Sequence, residues 1–256
     1  MISYCIASYR PHYSSLLIQD LVRKTTAPFE ILVWLNVDDA EFERFLEGQQ
    51  TMGAPLRIVG KTPENIGMEA YSRLFSEARH ELIVQIDDDV VAISKRIAEQ
   101  ASDIFARYPR VKQLVADVWQ DEYTTGARPP MSCYRAYEPT QGLYDGPVDG
   151  WFSIFHRSAL PLATSAPRSM YFPLGGHLKN CLRANGELGL LCTKFKVFHV
   201  IGPHYASYFG MLDFEIQKYQ RLGWTDIVDW YESAKATLPC KAELEPRVKA
   251  IFAALD

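Results

Sequence analysis

The stretch HELIVQIDDDVV, His80 to Val91, decides how this chain is read. Five mostly apolar residues, Leu82 to Ile86, run into three consecutive aspartates, Asp87, Asp88 and Asp89. Such a run is costly at the end of a buried strand, because neighbouring like charges repel and resist desolvation. Something has to compensate for it. In extended backbone, side chains two apart share a face, so Asp87 and Asp89 converge on one point while Asp88 turns away. A divalent cation there neutralises both, and oxygen ligation suits Mg²⁺ or Mn²⁺. The plainer alternative is a solvated acidic turn that caps the following helix.

Working outward, short apolar runs at Ile2–Ala7, Phe29–Leu35, Leu56–Val59 and Leu82–Ile86 predict buried strands separated by segments of helical spacing. In ENIGMEAYSRLFSEARH, the residues Ile66, Ala70, Leu74 and Ala78 recur every four positions and Tyr71 and Phe75 widen the stripe, which predicts a core-facing helix. Strands buried on both faces and joined by helices imply a mostly parallel, Rossmann-like α/β sheet with its ligand site at the carboxyl ends of the strands. The aspartates occupy such an end. A helix over Ser94–Tyr108 and a strand over Val111–Val118 complete the first half. Residues 119–147 are rich in Pro, Gly and Tyr, and a loop of that length is usually a lid or binding loop. Beyond it, VDGWFSIFHRSAL, a helix over His177–Ala184, the strand LCTKFKVFHV and C-terminal helices from Leu212 follow. The chain is expected to be a single domain over 1–256, with a nucleotide-binding half at 1–118 and a half at 119–256 that completes the metal and acceptor sites.

With 27 Lys+Arg against 31 Asp+Glu there is no sequence-wide basic field to hold nucleic acid. The five cysteines contain no C-x-x-C pair, which argues against a zinc or redox site and for free thiols in a reducing compartment. The sequence opens without a basic and then apolar leader, and its apolar runs are strand-length, short of a membrane span. The expected location is the cytosol, with a peripheral membrane contact as the alternative.

Taken in order, CIASYRP, ILVWLNVDD and NIGMEAYSRLFSEARHELIVQIDDDV resemble the nucleotide-sugar-dependent glycosyltransferases of the GT-A fold, particularly family 2. There, the first strand ends in a motif like P-T-Y-N-R, the second in Asp or Asn before a turn, and a G-x-x-x-A-R-N helix precedes a strand ending in D-x-D. The match spans about Ile2 to Val91. The resemblance implies a cation held by Asp87 and Asp89, with Ala7, Ser8 and Tyr9 lining the nucleotide pocket. It also implies that Asn36 reads the base edge, since an amide both donates and accepts, as an imide such as uracil requires. Asp38 and Glu41 offer a competing role for that turn, as a D-x-x-E capping box. Arg73 is implied at a sugar hydroxyl or the diphosphate, or else paired with Glu69 on the helix surface. Asp88 is counted with the donor-binding residues. His199, ending FKVFHV, fits a histidine that completes the metal site in many relatives, and His204 is the alternative ligand.

The resemblance breaks downstream. Relatives carry E-D-x-D before L-C-L-R, and its acidic residue is the base of the inverting enzymes. This chain has GGHLKNCLRANG, with Gly176 and His177 in those places. His177 is one candidate for the role, since imidazole is a side chain suited to general-base work. Asp149 in PVDGWF is a second candidate, and a retaining reaction with no enzymic base a third. Trp151 is the leading candidate for a stacking platform under a sugar or aglycone. The expected activity is metal-dependent transfer of a sugar from a nucleoside diphosphate sugar, UDP favoured and GDP next, to the hydroxyl of a glycan, lipid-linked or small-molecule acceptor. The alternatives are a sugar-nucleotide-binding protein that has lost catalysis and, ranked lower, a nucleotidyltransferase.

Overall fold

The computed structural model describes residues 1–124 and 127–256 of the chain; Thr125 and Gly126, in the loop expected between 119 and 147, lie outside the described residues. Four strands, β1 (Ile2–Ser8), β2 (Phe29–Leu35), β3 (Leu56–Lys61) and β4 (Leu82–Ile86), are joined by α1 (Pro11–Lys24), α2 (Ala40–Thr51) and α3 (Met68–Glu77). They pair in parallel in the order β3-β2-β1-β4. This is the arrangement expected of strands buried on both faces: every residue of β1 and β4 is buried. The α3 stripe faces the core as its spacing dictates, with Ala70, Leu74 and Phe75 fully buried. The cap of α2 is Asp39, whose carboxylate accepts from the amides of Glu41 and Phe42, and not Asp38, which pairs with Lys61.

The second half extends the same sheet. After β5 (Val90–Ile93), α4 (Ile97–Arg107) and β6 (Val111–Val118), the chain makes two short strands, β7 (Arg135–Glu138) and β8 (Leu143–Asp145), within the stretch read as a loop. It then enters β9 (Phe152–His156), the short α5 (Leu160–Thr164), α6 (Leu174–Ala184) and the long β10 (Leu188–His199). The path across the sheet is β3-β2-β1-β4-β9-β6-β10-β8-β7, with β5 paired to β10. β9 runs antiparallel to both β4 and β6, so its beginning lies beside the carboxyl ends of those neighbours. The register Ile86↔Phe152 therefore puts the residues just before β9 next to Asp87. The sequence reading had no sign of this reversal, because buried antiparallel and parallel strands are equally apolar.

Four C-terminal helices follow, α7 (Pro203–Tyr208), α8 (Leu212–Leu222), α9 (Thr225–Ala234) and α10 (Lys241–Leu255). α10 buries Val248, Ile251 and Leu255 against Val91, Ala92 and Phe198. Lys24, fully buried, secures the same corner by donating to the Ile93 carbonyl and pairing with Asp20. Among the described residues no helix is long and apolar enough to cross a membrane.

Candidate active site

The aspartate triplet forms a turn between β4 and β5 and not a continued strand: the Val90 amide donates to the Asp87 carbonyl at 3.1 Å. Four contacts from three segments fix it. The Asp87 amide donates to the Trp151 carbonyl at 3.0 Å, the Val200 amide to the Asp89 carbonyl at 2.8 Å, and the Tyr71 hydroxyl to the Ile86 carbonyl at 2.7 Å. The antiparallel pairing of β5 with β10 sets His199 opposite Val90, where the imidazole N–H of Nε2 donates to Asp89 Oδ1 at 2.8 Å. One ligand atom from each of Asp87, Asp89 and His199 lies within 4.8 Å of the others. The convergence inferred from extended geometry holds, but a turn and a strand from residue 188 onward produce it.

Asp88 turns away as its position required, and what it meets was missed. Its Oδ2 accepts the backbone amides of Tyr9 and Arg10, both at 2.6 Å, and its Oδ1 takes Arg10 Nε at 3.0 Å and Nη2 at 2.6 Å. Arg10, 8% exposed, reaches on through Nη1 to Asp89 at 2.7 Å and Glu215 of α8 at 2.9 Å. A single guanidinium thus pairs with three carboxylates, Asp88 and Glu215 buried and Asp89 half-buried, which offsets part of the charge that the acidic run brings. Lys218, one turn further along α8, pairs with Glu215 and lines the cleft, its pKa lowered by burial and by Arg10.

The electrostatics separate the two outer aspartates. Burial, reinforced by the charge of Asp89, raises the Asp87 carboxyl to about 7. Burial also works to raise Asp89, but Arg10 and His199 overcome it and hold that group well below the ordinary carboxylate range. His199 is raised, because Asp89 outweighs the desolvation that disfavours its charged form. Two carboxylates and an imidazole suit a borderline ion such as Mn²⁺ at least as well as Mg²⁺. Asp87, whose carboxyl burial and Asp89 raise, gains most from a nearby cation. The residues present therefore fit a divalent cation.

The site lies in a cleft of about 400 Å³ at the carboxyl ends of β1, β2 and β4, roofed by the segment Met170–Pro173 and by α8. Of the expected residues, Ala7, Tyr9, Asn36, Asp87, Asp88, Asp89, Asp149 and His199 line it. Asp149 faces it from the turn before β9, and desolvation by the surrounding walls raises its pKa. Gly175 is needed there: a Cβ on it would sit 2.4 Å from the Asp149 backbone.

Five expected residues lie elsewhere. Ser8 is fully buried, its hydroxyl 2.7 Å from that of Ser14. Arg73 pairs with Glu69 on the helix surface and lies over the Trp34 ring, away from the cleft. Trp151 is no platform: its indole donates to the Ala116 carbonyl at 2.7 Å inside the core, and its contribution to the site is the carbonyl that holds Asp87. His177 points along α6, edge-on to Phe172 at 5.1 Å and 3.6 Å from Cys181 Sγ. His204 stacks on Tyr123 at 4.2 Å and takes no part in the cluster.

The sequence reading passed over Arg10, Asn65, Tyr71, Gln85 and Lys218, all of which line the cleft. Arg10 and Asn65 stood inside quoted motifs, as an Arg before the Pro that starts α1 and as the Asn of an N-x-G turn. Lys218 left no signal, since α8 comes to the cleft only through tertiary packing. Gly67 of that turn has φ +55, and a Cβ there would lie 2.5 Å from the Met170 carbonyl oxygen. Gly67→Ala is therefore expected to destabilise the fold by about 1–3 kcal/mol and to lift the roof segment, read as a lower melting temperature and faster proteolysis near Met170.

No sequence-family model matches the chain, and no curated protein is detectably similar in sequence. Solved structures are similar in fold. Staphylococcus aureus TarS 1–349 in complex with UDP-GlcNAc superposes with a TM-score of 0.60 at 13% identity, over 83% of this chain and 63% of that one. GalNAc-T7 with UDP, GalNAc and Mn²⁺ gives 0.60 at 12% identity, over 79% and 44%. The mannosyltransferase PcManGT from Pyrobaculum calidifontis, in complex with GDP-Man and Mn²⁺, gives 0.58 at 13% identity, over 99% of this chain and 80% of that one. The chain has the GT-A fold of nucleotide-sugar glycosyltransferases. It spans 39–63% of the TarS chains that it matches.

Proposed function

We propose that the chain is a metal-dependent glycosyltransferase that moves a sugar from a nucleoside diphosphate sugar, UDP-linked before GDP-linked, to an acceptor hydroxyl. The observation that carries this is the Asp87–Asp89–His199 cluster at the end of β4 in a GT-A sheet. Similar structures hold UDP-GlcNAc, or UDP or GDP-Man together with Mn²⁺, which supports the donor class. Residues 1–118 read as the nucleotide-binding half and 119–256 as the half that completes the metal and acceptor sites.

A divalent cation on Asp87, Asp89 and His199 supplies positive charge where the leaving diphosphate develops negative charge. The chain's own residues account for the rest. Lys218 reaches the cleft from α8 and donates to a phosphate oxygen. Arg10 keeps the triplet turn in shape. Asp149, with a raised pKa beside Asp87, is the carboxylate placed to take the acceptor's proton, the work that relatives give to the acid replaced here by Gly176 or His177. A carboxylate open to the cleft favours an enzyme over a binding protein that has lost catalysis.

Calorimetric titration of UDP and GDP, with and without Mn²⁺, tests the donor class. One nucleotide is expected to bind, and only with the metal; binding of neither sinks the reading. Because Asp87 carries a proton below about 7, a cation must displace it. His199, whose charged form Asp89 favours, must also lose its proton to coordinate, so Mn²⁺ affinity is expected to fall by between about tenfold and 100-fold per pH unit below 7, followed by electron paramagnetic resonance of free Mn²⁺.

A further inference from the structure

We propose that a second pocket, behind Asp149, is an anion subsite for the acceptor, and that the acceptor is a hydroxyl compound carrying a phosphate monoester; this rests on the glycosyltransferase reading above. The pocket has a volume of about 460 Å³ and lies between residues 145–148 and the α6 residues Gly176, Lys179 and Arg183. Val148 lines this pocket and Asp149 lines the donor cleft. One residue step, about 3.8 Å, therefore separates their walls, and a ligand anchored in the pocket can present a hydroxyl to Asp149.

The charge of the pocket is unbalanced. Among the described residues Asp145 is the one carboxylate that lines it, and three cations converge there: Lys179 Nζ at 2.6 Å, Arg183 Nη2 at 3.2 Å and Arg135 Nη2, from β7, at 3.5 Å. Burial works to raise the Asp145 carboxyl, but Lys179, Arg183 and Arg135 overcome it and hold the group below its ordinary value, so it stays ionised. Two positive charges are left over. Lys179, 7% exposed, also donates to the Gly146 carbonyl and keeps a third N–H. Both arginines engage Asp145 through Nη2, which leaves their Nε and Nη1 without an acceptor among the described residues. A phosphate monoester carries about −1.5 to −2 near neutrality and meets guanidinium in two-point contacts, so it matches this excess better than a singly charged carboxylate. Gly176 keeps a wall of the pocket free of charge. It stands where the E-D-x-D motif places an acid, and a carboxylate in this position cancels part of the excess. The backbone does not demand glycine there, because an added Cβ meets nothing closer than the Val148 carbonyl oxygen at 3.5 Å, an ordinary contact.

Glycerol phosphate, glycerate and glycerol are titrated into wild type, Arg183→Gln and Gly176→Asp by nuclear magnetic resonance without metal, so that the aspartate cluster holds no cation for the phosphate. Both variants should fold, since Arg183 is exposed and an acid in the first turn of α6 suits the helix dipole; thermal unfolding checks this. Wild type is expected to bind glycerol phosphate at least tenfold more tightly than glycerate and glycerol not at all. Arg183→Gln is expected to weaken the phosphate at least fivefold and Gly176→Asp at least tenfold, both with Mn²⁺-dependent nucleotide binding unchanged. Cosedimentation with vesicles of phosphatidic acid, lost in Gly176→Asp, marks a lipid-borne phosphate; binding of the free ester alone marks a soluble one. Glycerol phosphate that binds wild type and both variants alike, or no more tightly than glycerate, overturns the assignment. Wild type that binds Mn²⁺ and neither UDP nor GDP overturns the donor-site reading, and the acceptor role of this pocket with it.

Discussion

Asp89→Asn is expected to weaken Mn²⁺ binding at least about 100-fold and to abolish metal-dependent nucleotide binding, while the protein stays folded. The substitution preserves size and removes one of the two charges that face the cation. Loss of an outer hydrogen-bond partner alone costs metal sites about 10–100-fold, and a ligand should cost no less. Asp89 is also the better ligand of the two, since Arg10 and His199 keep it ionised where Asp87 binds a proton near neutrality. The fold should survive because Arg10 retains Asp88 and Glu215. Mn²⁺ affinity within a factor of three of wild type would remove Asp89 from the metal site.

Arg10→Met is expected to fail differently, by loss of stability. The guanidinium makes three hydrogen bonds and three ion pairs to Asp88, Asp89 and Glu215, each of which is half-buried or buried. His199 still serves Asp89 and Lys218 still serves Glu215, so Asp88 is left with backbone amides alone. Breaking one side of a buried pair costs about 3–5 kcal/mol. At this chain length that is a fall in melting temperature on the order of 10 °C. The loss should shrink as pH falls and the stranded carboxylates take up protons. A variant that melts within about 2 °C of wild type would show that the network contributes little.

The sequence carried the first half of the fold nearly intact. Apolar runs gave β2, β4 and β6 with their observed ends, because a strand buried on both faces has no choice but to be apolar along its length. The same property hid the reversed direction of β9. β5 was left unassigned, just ahead of the helix expected over Ser94–Tyr108, since four apolar residues fit either period. Within the site, local spacing brought out Asp87 and Asp89, and the family resemblance brought out His199. Residues whose place depends on distant packing were misjudged or missed: Trp151 sits beside the cleft in sequence and in the core in space, while Lys218 and Glu215 arrive on a helix more than 120 positions beyond the aspartates. Asn36 lines the cleft as expected, and its bonds to Ile66 and Asn65 are a matter of tertiary packing that residue type alone does not reveal.

The register of β9 has a use beyond catalysis. Because Ile86↔Phe152 is set by pairing within the sheet, the position of Asp149 beside Asp87 does not depend on the path or length of the chain between Trp119 and Pro147. Changes in that segment that keep β8 on β10 and Arg128 on Asp117 leave the two carboxylates their spacing, by evolution or at the bench. A library confined to it would vary what approaches the cleft without resetting the chemistry at its floor.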